Sequence, residues 1–294
     1  MSGSARTRRQ VLGLLATGLA VSRAPAAAGA GPAPRVAALD WSMLETLVAL
    51  GVEPVAAAEL LRFREDAVEP ALPPSVVDIG LRGAPNFELL HLVGPDLILS
   101  SPYYTRHLAA LERIAPVMSL PFFVPGEPPL PKALDALGAL GARLGREAAA
   151  RAARAGAEAE FDRLAARLAP FATRPTYVIN LGDARHFRAF GADSMFGNVL
   201  DRLGLPNAWT SASRFSFAAP VPLEELAARP EARIVIVSDI PPAARAGLET
   251  SVLWASLPPV REGRVCRLAN VNPHGGIFAA RRFARLLAAA LEAA

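Results

Sequence analysis

Short apolar runs alternate with stretches whose apolar residues recur every three or four positions, and this alternation lays out the chain. Residues 34–41 (PRVAALDW) form an apolar run. In the next stretch Met43, Leu44, Leu47, Val48 and Leu50 keep a helical period, Asp40 or Ser42 can cap it, and Gly51 ends it. Residues 52–58 form a second strand. Residues 59–74 show no strong period, carry Pro70 and Pro73-Pro74, and are expected to be a loop of the length that tends to be functional. Asp78 to Tyr104 (DIGLRGAPNFELLHLVGPDLILSSPYY) predicts a β–α–β unit. One apolar run ends at Gly80-Leu81-Arg82, a Pro-Asn pair starts a short helix, and a second run, Leu97-Ile98-Leu99, ends at the tyrosines. Strand C-termini in such units face a ligand crevice, so Arg82 and Tyr104 are expected at the same edge. A helix over 105–114 and a strand over 116–123 complete an alternating first lobe of the kind that builds a parallel sheet.

From Pro131 to Pro170 the character changes. Lys132 to Ala169 contains no proline, and Leu134, Leu137, Leu140, Leu144, Phe161, Leu164 and Leu168 keep helical spacing. A single helix of that span measures about 57 Å at ~1.5 Å per residue. It outreaches a small lobe and is expected to bridge two. Gly138, Gly141, Gly145 and Gly156 are the places where it could kink. The leucine pattern fails across Ala148 to Ala159, which argues against a coiled coil. A second lobe follows, with strands at 176–180, 187–191, 234–239 and 265–268, a helix at 194–203, and a closing helix at 277–293. The segments are 1–30, 31–130 (first lobe), 131–170 (connecting helix) and 171–294 (second lobe).

Residues 1–30 change the picture of where the protein works. Arg8-Arg9 precede an uncharged apolar stretch, Val11 to Val21, and then the small residues Ala26 to Ala30. This order of basic, apolar and small regions is that of an export signal, with the twin arginine pointing to the folded-protein route. The apolar stretch is too short to span a membrane, which takes about 20 residues. Ala28-Gly29-Ala30 offers a cleavage site, so a mature chain beginning near Gly31 in the periplasm is expected.

Composition adds little beyond this. The formal charge is +4 and the pI about 9.9, but the arginines are scattered, which gives no nucleic-acid footprint. Cys266 is the single cysteine, so no intramolecular disulfide is possible. His91, His107, His186 and His274 sit on separate segments without ligand spacing, which speaks against a resident metal. No G-x-S-x-G elbow or phosphate-binding loop occurs, and no enzyme reading is supported.

Several stretches carry a family resemblance: 35–41 (RVAALDW), 47–54 (LVALGVEP), 72–82 (LPPSVVDIGLR), 85–90 (PNFELL), 112–116 (ERIAP), Phe190-Gly191 with Ser194, and 204–209 (GLPNAW). In these the chain resembles the periplasmic substrate-binding proteins of bacterial ABC importers for iron-siderophores, corrinoids and haem, above all the ferric-hydroxamate branch. The resemblance implies two α/β lobes with mostly parallel central sheets, joined by one long helix, and a ligand held between them. It implies a monomer that captures a ferric siderophore, with no resident cofactor, and hands it to an inner-membrane ABC permease.

A ferric hydroxamate arrives with its iron already wrapped in oxygens, so the protein has to recognise an oxygen-rich rim. An arginine fork suits that rim, and Arg82 is the first candidate. Tyr104 matches the family's pocket tyrosine and can donate its phenolic hydrogen to the same rim. Trp41 and Trp209 match pocket aromatics, whereas Trp254 lies in a helical segment and is expected in the core. Ser194, Phe217 and His274 are further candidates. Asp66, Ser216, Asn272 and His274 stand where the hydroxamate binders carry aromatics. Arg62, Arg64, Arg106, Arg185 and Arg214 lie on segments that could reach the cleft and would suit a more anionic chelate. Catecholate, citrate and haem, the last with Tyr103 or Tyr104 as axial ligand, remain alternatives. The resemblance places the permease contacts at Glu88 and at Glu224 or Glu225.

Overall fold

A computed structural model describes residues 34–213 and 221–293. The expected export signal, together with Arg214, Ser216 and Phe217, lies outside the described residues. The first lobe runs β1 (Val36–Ala38), α1 (Trp41–Ala49), β2 (Ala56–Ala57), α2 (Leu60–Asp66) and β3 (Val77–Asp78). It continues through the hairpin β4 (Gly80–Leu81) and β5 (Ala84–Pro85), α3 (Phe87–Val93), β6 (Leu97–Ser100), α4 (Leu108–Glu112) and β7 (Val117–Ser119). Two helices follow, α5 (Pro129–Leu144) and α6 (Glu147–Leu168). The second lobe contains β8 (Thr176–Leu181), β9 (His186–Ala189), α7 (Met195–Arg202), β10 (Val221–Pro222) and β11 (Arg233–Ile236). Then come α8 (Pro242–Glu249), α9 (Val252–Ser256), α10 (Pro258–Arg261), β12 (Val265–Arg267) and α11 (Ile277–Glu292).

The first sheet has the order β3-β2-β1-β6-β7 and is parallel throughout. The second, β10-β9-β8-β11-β12, pairs β8, β11 and β12 in parallel and adds β9 and β10 antiparallel. This is the two-lobed α/β architecture expected from the pattern. Side chains alternate across each sheet, as the two-residue period of a strand requires. Val36, Ala38, Leu97, Leu99, Val178, Val235 and Val237 point into one large core shared by both lobes, while Ala37, Ile98, Ile179 and Ile234 point to separate outer cores. The shared core also contains Leu44, Leu47, Leu137, Leu140, Phe161, Phe196 and Phe283 from α1, α5, α6, α7 and α11. A helical layer thus seals the inner faces of both sheets.

The helical connector is present, with α6 as its long element, but it is broken. Gly145 takes a left-handed backbone (φ +65) that ends α5. The chain then folds back, because Arg154 reaches Asp135 at 3.1 Å. In a straight helix those two residues would lie about 28 Å apart. Gly141 permits the fold: a Cβ there would come within 2.7 Å of the Ala150 Cβ. The break falls at one of the four glycines that the sequence marks as weak.

The stretch 59–74 contains α2 instead of being loop throughout. Leu60, Phe63 and Ala67 make an apolar stripe, and Arg62 pairs with Asp66 one turn on at 2.8 Å. So few buried side chains give too faint a period to read. Likewise β3 is followed by the β4–β5 hairpin before α3, so Arg82 sits at a hairpin turn rather than at a strand end.

Side chains also tie the two lobes together. Glu69, after α2, pairs with Arg282 of α11 at 2.9 Å and with Arg285. Glu160 of α6 pairs with Arg281 and, at 3.1 Å, with Arg285. Deeper in, the fully buried Glu45 of α1 accepts hydrogen bonds from the backbone N–H groups of Gly276 (2.8 Å) and Ala279 (2.9 Å), and so caps α11 of the other lobe. The approach requires glycine, since a Cβ on Gly275 would fall 2.3 Å from Glu45 Oε1. Burial pushes the Glu45 carboxyl up to about 8, against the lowering effect of the backbone donors.

Candidate functional site

The ends of the parallel strands of both sheets converge on one cleft. Asp40 follows β1, Glu59 follows β2, Ser101 follows β6, and Gly182 and Ser238 follow β8 and β11. This is the edge at which α/β sheets bind ligands. Two adjoining cavities of about 540 and about 490 Å³ share Arg82 and His274 as common wall. Each falls within the size range of small-molecule sites.

Arg82 is the best-defined group in the cleft. Its guanidinium lies 3.6 Å over the Trp41 ring, and its Nε donates to Glu59 Oε2 at 2.7 Å. Trp41 is in turn held by its own Nε1, which donates to the Ala58 carbonyl at 2.9 Å, and by an edge contact with Phe63. The arginine plane is therefore fixed from below and from the side. Its two Nη groups are not needed for that hold, and the side chain stays about a third exposed. Asp40 orders the floor: Oδ1 caps α1 by accepting from Ser42 N (2.8 Å), and Oδ2 accepts from Ser101 Oγ (2.7 Å).

His274 enters from the second lobe on the loop that Glu45 and Ser42 clamp. Ser42 Oγ donates to the His274 carbonyl at 2.9 Å, and the ring meets Phe123 edge-on at 5.1 Å. Its exposed surface faces the cleft. Desolvation there, reinforced by the Arg82 and Arg188 cations, lowers its pKa to about 4, so the imidazole is neutral at physiological pH.

The other sequence candidates divide. Tyr104 lines the same cavity as Arg82, as expected, but it is 2% exposed and its hydroxyl already donates to the Leu39 carbonyl at 2.8 Å. It therefore offers a ring edge and not a free phenolic donor; the exposed tyrosine of the pair is Tyr103. Burial, with Asp40 next, drives the Tyr104 phenol well above its ordinary range. Trp41 is in the cleft wall, yet its face is covered by Arg82 and cannot present a flat apolar surface. Ser194 is 7% exposed and caps α7, accepting from Gly197 N at 3.0 Å, which is a structural role. Trp209 belongs to a neighbouring cavity with Asn198 and Pro128, against Phe187, and does not meet Arg82. The turn before it is set by Asn207, whose side chain bonds the Phe190 carbonyl and the Trp209 N–H. Trp254 packs against the outer core of the second lobe, as expected.

Of the arginines singled out, Arg62 reaches the cleft paired with Asp66, whereas Arg106 donates to the Gly83 carbonyl and Arg64 and Arg185 are on the surface. Asp66 and Asn272 line the second cavity. Glu88, in the first turn of α3, and Glu224 and Glu225, on a 3₁₀ turn, are all exposed. Sequence reasoning missed Glu59, Arg188, Phe123 and Ser238. Glu59 and Ser238 share one signal that only a backbone can give: both hold left-handed φ values (58 and 67) without being glycine. No group of His, Cys, Asp and Glu among the described residues could hold a metal ion, and none of their helices is long and apolar enough to cross a membrane.

Residues 36–271 match the model of the periplasmic binding protein family. The chain belongs to that family. It is 32% identical over 253 residues to the iron(3+)-hydroxamate-binding protein FhuD of Escherichia coli K12, covering 86% of this chain and 85% of the relative. Among solved structures it is similar to FhuD of Vibrio cholerae, crystallised with Fe3+-Desferal, at a TM-score of 0.81 and 30% identity, over 88% of this chain and 98% of that one. The petrobactin-binding protein YclQ of Bacillus subtilis shares the fold, with a TM-score of 0.72 at 17% identity over 88% and 92% of the two chains. These relatives are, by name, binding proteins for an iron(3+) hydroxamate, a siderophore and petrobactin.

Proposed function

We propose that the protein captures a ferric hydroxamate siderophore in the interlobe cleft, works in the periplasm as a monomer, and passes its cargo to an inner-membrane ABC permease. The observation that carries this reading is Arg82, held flat on Trp41 at the strand-end edge of the cleft with its Nη groups unspent on that hold. Four N–H bonds in a rigid fork match the oxygen rim of an iron chelate, and the iron itself needs no protein ligand. Tyr103, the Tyr104 ring edge, Phe123 and the neutral His274 supply apolar and weakly polar walls for the organic part of the ligand. Glu88 on the first lobe and Glu224 or Glu225 on the second are the exposed acids that would meet the permease.

Trp41 under Arg82 makes the test direct. Titration with a ferric trihydroxamate is expected to quench tryptophan fluorescence with submicromolar affinity. Arg82→Ala is expected to weaken binding by about 2 kcal/mol, the scale of charge-assisted hydrogen bonds. Quenching by ferric catecholates or citrate but not by hydroxamates would refute the ligand class. A Soret band that grows with haemin would refute it too.

A further inference from the structure

Glu59 occupies a position built for another residue. It stands at the N-terminus of α2 with φ 58 and ψ 45, a backbone region that non-glycine residues rarely enter. It does not cap the helix, because Asp78 Oδ2 takes the Leu60 N–H at 2.9 Å. Its carboxylate instead turns into the cleft and binds Arg82 Nε at 2.7 Å, with 17% of its side chain exposed. Neither its backbone nor its helix thus accounts for a glutamate here, whereas its carboxylate holds Arg82.

The charges of the cleft point the same way. Among the described residues that line the two cavities, the cations are Arg62, Arg82 and Arg188. Against them stand Asp40, Glu59, Asp66 and Asp239. Arg82 and Arg62 are matched one-to-one by Glu59 and Asp66, while Arg188 donates to Asn180 Oδ1 at 3.1 Å, and Asp239 lines the same cavity. His274 adds no charge at neutral pH. Among the described residues, the cleft thus has arginine hydrogen-bond donors without an excess of positive charge.

We propose that Glu59 is a positioning and specificity-determining residue, holding Arg82 against Trp41 while cancelling its charge, so that the cleft selects iron chelates without net negative charge. The inference rests on the siderophore reading and narrows it. A neutral ferric trihydroxamate can take the arginine's hydrogen bonds, whereas an anionic chelate meets Asp40, Glu59 and Asp239 with no cation in surplus among the described residues.

The test varies ligand charge at a constant iron centre. Ferrioxamine B carries one positive charge, its N-acetyl form none, and its N-succinyl form one negative charge. Binding is read by tryptophan quenching at low and at moderate salt, with wild type, Glu59→Gln and Glu59→Ala. The wild type is expected to bind the acetyl form about tenfold more tightly than the succinyl form at low salt, the scale of one unscreened charge in such a cleft. Glu59→Gln keeps an acceptor for Arg82 Nε and should hold the acetyl form within about threefold while removing most of the discrimination. Glu59→Ala should weaken all three ligands. Equal binding of the three forms by wild type, or discrimination unchanged in Glu59→Gln, would overturn the charge selection and leave the siderophore reading standing. Failure of wild type to bind any of the three would overturn both.

Discussion

The carboxyl of Glu45 makes stability depend on pH in a direction opposite to that of most acids. In the folded protein its pKa is raised to about 8, against an ordinary value of 4.5, because a fully buried side chain loses hydration that the backbone N–H donors only partly replace. Between those values the folded state binds a proton that the unfolded state has released. Stability from this group is therefore complete below pH 4.5 and is lost as pH rises toward 8. Once the unfolded carboxyl is ionised, the slope approaches 1.36 kcal/mol per pH unit and levels off near the folded pKa. Integrated from pH 6.5 to 8, the loss is on the order of 1–2 kcal/mol. Glu45→Gln retains an oxygen for the Gly276 and Ala279 N–H groups and removes the titration. Urea unfolding at half-unit pH steps should show the wild type falling by that amount across the window, while the variant stays flatter. Parallel curves would refute the reasoning, since they would mean that the carboxylate is not buried at the lobe junction as the structure has it.

Other expectations follow from the same packing. His274 has the inverse sign: its folded pKa, about 4, lies below 6.5, so its contribution to stability is lost as pH falls from 6.5 to 4, and His274→Asn should remove that acid-side loss in the same urea series. Gly275→Ala places a methyl 2.3 Å from the Glu45 carboxylate, and thermal melts should show a destabilisation of about 1–3 kcal/mol, the range for overpacking. Tyr104→Phe removes the bond to the Leu39 carbonyl and should cost about 1 kcal/mol of stability by urea titration, with a smaller effect on ligand affinity than Arg82→Ala. Trp209→Phe, in a neighbouring cavity, should leave siderophore affinity nearly unchanged in the quenching assay while lowering the starting fluorescence.

Periodicity settled the elements whose burial is regular. The strands at 36–38, 97–100, 176–181 and 233–236 are legible because they are buried on both faces and read as nearly unbroken apolar runs, and the closing helix because it buries one face and keeps a three- to four-residue rhythm. The short helix α2 and the β4–β5 hairpin were not, since each buries one or two side chains and leaves no rhythm to detect. Arg82 could be named from its chemistry and its place in a β–α–β pattern. Its partner Glu59 could not, because the two lie 23 positions apart and meet only when β2 and the β4–β5 hairpin are brought side by side. Tyr104 shows the converse limit: it lines the same cavity as Arg82, but whether a hydroxyl is free or already bonded is decided by which carbonyl folding brings to it. The sequence by itself determined two α/β lobes, a helical connector with a glycine weak point and an arginine at the cleft edge, all of them products of local pattern. Tertiary structure alone decided that the connector folds back at Gly145, that Glu45 of one lobe caps a helix of the other, and that Arg82 in the cleft is ion-paired with Glu59. Those are meetings of residues far apart in the chain, and no local period encodes them.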